Sequence, residues 1–127
     1  MSELTVEQHQ LLFDYDQLLN TISDALEYLE KNIKKEAPPE VQQVFQDVLL
    51  ALDKASTSHE QMVALFNEDI KLITLIGDFH DVVKLLQQWF ELETNEEKRQ
   101  LLVEKVVPAY ESWRSQMQSY VKPYIVH

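Results

Sequence analysis

The side chains of this chain that could do chemistry are four histidines and twenty-two carboxylates, and no cysteine joins them. Without cysteine there is no disulfide, no thiolate metal site and no thiol nucleophile. Carboxylate di-metal sites in helical proteins need inward-facing glutamates and a Glu-x-x-His unit, and no such unit occurs here. Asp14 and Asp16 do not form a pair, because residues two apart on a helix point roughly 200° apart. A calcium loop turns on an obligatory glycine, and the glutamate-rich stretch 91–97 has none. With Gly77 as the sole glycine, a phosphate-cradling glycine loop cannot be built either. The expectation is a protein with no catalytic residues and no cofactor.

One constellation remains. His59 lies upstream of the run Phe79-His80-Asp81-Val82-Val83-Lys84. That run resembles the His-Asp pair of the HD-type metal phosphohydrolases, in which a His, a His-Asp pair and a distant Asp hold a metal that activates water. The resemblance implies a metal site on His59, His80 and Asp81. The chain departs from the pattern, since no aspartate follows Asp81. The competing reading puts His80 and Asp81 on a helix surface and makes His59 structural. His59 falls on an apolar seam, where a histidine is neutral and hydrogen-bonded, through Ser56 or a neighbouring helix.

The elements that carry these residues are read from apolar periodicity. A single glycine and four prolines leave few tight turns, so long helices with short connections are expected. A first helix is expected over about 5–36, opened by a Thr5/Gln8 capping box. Its rows are Leu11, Tyr15, Leu18, Ile22, Ala25 and Leu29, with Leu12, Leu19, Leu26 and Ile33 beside them. A second helix, about 39–66, starts at Pro38-Pro39 and follows Val41, Phe45, Val48, Leu52, Ala55, His59, Met62 and Phe66. Thr57 and Glu60 could begin a separate helix, but the unbroken rhythm favours continuity through 56–60.

A third helix, about 69–92, is capped within Asn67-Glu68-Asp69 and carries Leu72, Leu75, Phe79, Val82, Leu86 and Trp89, flanked by Ile76, Val83 and Phe90. Gly77 inside it suggests a close helix crossing. The fourth, about 95–121, opens on a Thr94/Glu97 capping box and carries Val103, Val106, Tyr110, Trp113, Met117 and Tyr120. Pro108 should kink it and Pro123 should end it near Val121. Four rods of similar length predict an all-α, antiparallel up-down four-helix bundle, one domain over 1–127.

Charge narrows the function. A net charge of −11 opposes nucleic acid and anionic membrane surfaces as partners. Residues 1–30 hold seven acids and no lysine or arginine, which attracts a basic partner or mimics a nucleic-acid backbone. No amino-terminal basic region precedes an apolar stretch, so a cytoplasmic location is expected. Tyr110, Trp113, Met117, Tyr120, Tyr124 and Ile125 form a stripe of the types that dominate both cores and partner grooves. The composite expectation is a small acidic adaptor- or chaperone-like bundle that binds a basic or helical protein through that stripe. Its heptads also suit a homodimer.

Overall fold

The computed structural model describes residues 4–125, and among them every regular element is helical. Helix α1 spans Val6–Asn32, α2 Glu40–Leu65 and α3 Ile70–Gln87, which a 3₁₀ turn extends over Gln88–Glu91. The last rod is α4 (Asn95–Leu101), a π turn (Leu102–Val106) and α5 (Val107–Ile125) in continuous succession. Four rods therefore pack as a bundle. α1 lies along α2 and α5, α3 lies along α5, and α2 and α3 meet over the shortest stretch.

The caps show why the rods begin and end where they do. Both expected capping boxes form, Thr5 with Gln8 and Thr94 with Glu97. α1 stops at Asn32, short of the expected 36. α2 runs unbroken through 56–60, and Thr57 bonds back to the Asp53 carbonyl at 3.3 Å instead of capping a new helix. At its end Asn67 takes φ 54°, its N–H reaches the Ala64 carbonyl, and the Glu68 N–H reaches the Val63 carbonyl at 2.8 Å. That pair of bonds is a Schellman motif with asparagine in the left-handed position. Glu68 is left-handed too, at φ 56°. Asp69 caps α3 with no side-chain bond, because its carboxylate accepts the Tyr120 hydroxyl at 2.7 Å.

The core is the seam read from the sequence, with instructive exceptions. On α1 the fully buried row is Leu12, Tyr15, Leu19, Ile22, Leu26 and Leu29, while Leu11, Leu18 and Ala25 are half-buried. On α2 and α3 every expected seam residue is buried except Phe66, which is half-buried at the bundle end. Val103 was expected on the last stripe but is exposed, and Leu101 and Leu102 are buried instead. The π turn explains this. It adds a residue to one turn, so the positions before it rotate relative to Val106, Tyr110, Trp113 and Met117.

Neither Pro108 nor Pro123 ends the helical run of the last rod. Pro108 is the second residue of α5, one residue past the π turn, and the Val107 N–H before it bonds to the Leu102 carbonyl. Pro123 does not end the helix near Val121, and α5 continues to Ile125. Its final turn is held from outside, because Val121 is buried and the Tyr124 carbonyl lies 2.7 Å from His9 Nδ1. Gly77 corrects another expectation. It is exposed, α3 passes through it without a break, and a Cβ there would meet nothing within 4 Å, so no close crossing depends on it.

Candidate functional site

His59 is the one buried polar or charged side chain among the described residues, 2% exposed. Its Nε2 lies 2.6 Å from the Tyr15 hydroxyl, so the hydrogen bond comes from a neighbouring helix and not from Ser56. Phe79 stands perpendicular to its ring at 4.7 Å between centroids, and Trp113 lies at 5.9 Å. Nδ1 has no hydrogen-bond partner. If the tyrosine donates to Nε2, the proton of neutral His59 sits on Nδ1 and one buried N–H is left unpaired. The opposite assignment leaves both the Nδ1 lone pair and the tyrosine proton unpaired, so the first is favoured. Burial, helped by nearby His80, holds the His59 pKa down at about 4. Burial likewise pushes the Tyr15 phenol well above its ordinary range.

The HD-like trio is not assembled as a ligand set. His59 faces the aromatic interior, whereas His80 and Asp81 are on the exposed side of α3. No group of three or more His, Cys, Asp or Glu among the described residues is placed to hold a metal ion.

The carboxyl-terminal stripe splits in two. Tyr110, Trp113 and Met117 are core residues, at 0%, 2% and 0% exposure, and so present no surface to a partner. Two of them are further secured by polar bonds: the Tyr110 hydroxyl donates to the Leu19 carbonyl and the Trp113 indole N–H to the Leu75 carbonyl, each at 2.7 Å. Tyr120, Tyr124 and Ile125 are only half-buried. Tyr120 and Tyr124 gather with Phe66 at the end of the bundle where α2 turns into α3, whereas Ile125 lines the cleft between α1 and α5. Phe66 meets Tyr120 at 5.5 Å and Tyr124 at 4.9 Å between ring centroids. Burial and the Asp69 carboxylate both push the Tyr120 phenol upward, so it stays a donor.

Around this aromatic end stand Val6, 81% exposed, and Ile70, 78% exposed. Neither belongs to an apolar row of its helix. Each lies one residue outside a core row and follows a cap, and an aliphatic there is a weak surface signal until the neighbouring rods are placed. The strained Asn67–Glu68 pair belongs to the same end.

A third feature is polar. Along the α1–α5 seam the Arg114 guanidinium binds Glu111 at 2.5 and 3.0 Å and Asn20 at 2.8 Å. Ser23 donates to the other Glu111 oxygen at 2.5 Å, and Gln118 to Asn20 at 2.8 Å. The cleft beside them, about 500 Å³, also takes in Asp16 and Lys122. Arg114 and Glu111 satisfy one another and bond to Asn20 and Ser23 of α1, which makes the seam a specific interhelical clasp.

Comparison with known proteins adds one assignment. The family described as a domain of unknown function (DUF8042) matches residues 10–116, most of the chain. The chain belongs to the DUF8042 family. No curated protein and no solved structure matches it. The match begins inside α1 and ends inside α5, so it takes in the His59–Tyr15 pair and Asn20, Ser23, Glu111 and Arg114 of the clasp but stops before Gln118, Tyr120, Tyr124 and Ile125. No helix among the described residues is long and apolar enough to cross a membrane.

Proposed function

We propose that this protein acts by binding another protein, as a small acidic adaptor- or chaperone-like bundle, and not by catalysis. The observation that carries the reading is the aromatic end: Phe66, Tyr120 and Tyr124 half-buried together, with exposed Ile70 next to the Asp69 that binds Tyr120 and exposed Val6 one turn before the His9 that meets Tyr124. Large aromatics whose bodies pack and whose edges face water have the composition of an interface centre. A net charge of −11 favours a basic partner, drawn in by long-range attraction and held by apolar contact. The antiparallel up-down arrangement belongs to this reading. Supporting it, His9 meets Tyr124, Asn20 meets Arg114 and Lys34 meets Asn95, so early residues of α1 face late residues of the last rod.

A photo-crosslinking residue at Ile70 tests the proposal, with one at exposed Thr21 on α1 as the control. The expected result is a crosslinked basic protein from position 70 and none from position 21, with capture from position 70 lost in a Val6→Asp background that keeps its helicity. Equal capture from both positions, or none from position 70, refutes it. A DNA-binding protein captured from acidic faces, released by salt and indifferent to Val6→Asp would favour the nucleic-acid mimic instead.

A further inference from the structure

The α2–α3 side of the bundle is a separate surface from that aromatic end. Each helix carries a second row beside its core row. On α3 the row is Ile73, Ile76, His80, Val83, Gln87 and Phe90, in alternating steps of three and four. Ile73 is 46% and Phe90 66% exposed, and Ile76 and Val83 are half-buried. The facing row of α2 includes half-buried Leu49, Ser56 and Val63, with exposed Asp53 and Glu60 along its rim. Between the rows lies a groove of about 320 Å³, floored by Leu52 and Leu86, with Phe90 at one end.

The basic groups of this face lie on one side. The α2 rim is acidic through Asp53 and Glu60, while the α3 rim carries His80 and Lys84, with Asp81 beside His80 and Glu91 after Phe90. The contacts of Phe45 with Trp89 and of His59 with Phe79 set the level of one helix against the other. They put Asp53 on the same level as the turn containing Lys84, and Glu60 on the same level as the turn containing His80.

We infer that this face pairs with a second copy of the chain, about a two-fold axis running along the bundle. That rotation keeps the levels and exchanges the sides, so α2 of each protomer lies over α3 of the other. Asp53 then faces Lys84 of the second copy and Glu60 faces its His80, twice over, around a strip made by Leu49, Val83 and Phe90. The other two-fold choice, with its axis across the bundle, sets α2 on α2 and opposes the acidic rims. Electrostatic complementarity therefore selects the first.

The size of the face sets the strength. From Ile73 to Phe90 is roughly 25 Å at 1.5 Å per residue, and two neighbouring helices are about 20 Å across. That area is at or below the ~800 Å² per partner of a standard interface, in the range of weak, transient association, so the dimer should form only at high concentration.

Sedimentation equilibrium of the whole chain from about 1 μM to 1 mM tests this. The expected result is a monomer–dimer equilibrium that Phe90→Asp weakens at least about tenfold, while Gln17→Asp on α1 leaves it unchanged. Across the two-fold axis Asp53→Lys sets lysine against Lys84, and Lys84→Glu sets glutamate against Asp53. Each of these should dimerise less than the wild type alone, and their mixture should recover association. Because both residues are exposed, circular dichroism should show unaltered folding. A chain that stays monomeric to 1 mM, or a dimer insensitive to Phe90→Asp and to the charge reversals, overturns the inference.

Discussion

The His59–Tyr15 pair makes the sharpest prediction, because it ties stability to pH through one buried ring. His59 has an ordinary pKa of 6.5 when unfolded and about 4 when folded, chiefly through burial. Above pH 6.5 the ring is neutral in both states, and its full stabilising share is present. As pH falls below 6.5 the unfolded ring takes a proton that the folded ring refuses, so stability drops. The loss is complete near pH 4, where the folded ring also protonates. A difference of about 2.5 units corresponds to about 3 kcal/mol, a large part of the ~5–15 kcal/mol that holds a domain of this size.

The assay is urea unfolding at pH 7.5, 6.5, 5.5 and 4.5, followed by circular dichroism, on the wild type, His59→Leu, Tyr15→Phe and the double variant. The double variant is needed because Tyr15 is 1% exposed and makes its one hydrogen bond with His59. His59→Leu alone strands a buried hydroxyl, at about 1–3 kcal/mol, against the gain from an apolar side chain. Removing both partners should match or exceed wild-type stability at pH 7.5, with a coupling of about 1–2 kcal/mol between the two sites. The stability of the wild type relative to the double variant should then fall by about 2–3 kcal/mol between pH 7.5 and 4.5. The comparison cancels the titration of the surface carboxylates, which both proteins share. A difference that stays flat over that range refutes the argument that burial of His59 governs the effect.

Three further outcomes follow from the local geometry. Gly77→Ala should stabilise the protein by about 0.5–1 kcal/mol, read as a raised Tm, since the added methyl meets nothing and the helix gains propensity. Thr94→Ala should cost about 1 kcal/mol, because it removes the hydroxyl that accepts from the Glu97 N–H and leaves the start of α4 uncapped. Glu68→Gly should leave the fold unchanged and raise stability in urea by up to about 1 kcal/mol, since glycine relieves the left-handed φ of 56°. Glu68→Val should lower it, because a β-branched residue is worst suited to that conformation.

The amino-acid sequence alone determined the helical class, both capping boxes, and the buried seams of α2 and α3, because these follow from spacing along one chain. An apolar residue every three to four positions makes a stripe whatever it packs against, and Thr-x-x-Gln or Thr-x-x-Glu closes a box from local bonds. Continuity of α2 through Ser56-Thr57-Ser58 was legible for the same reason. What only the tertiary structure decided was how the rods face one another and what stands outside them. Spacing cannot tell Trp113, sealed by the Leu75 carbonyl, from Tyr124, packed on Phe66 at an open end, since both lie on one stripe. It cannot show that His59 finds its partner forty-four positions away in Tyr15, because that bond exists only once α1 and α2 are side by side. Nor does a proline reveal whether it will end a helix. Pro123 fails to do so because Val121 and the Tyr124 carbonyl hold the last turn against the rest of the bundle, and those contacts join residues far apart in sequence.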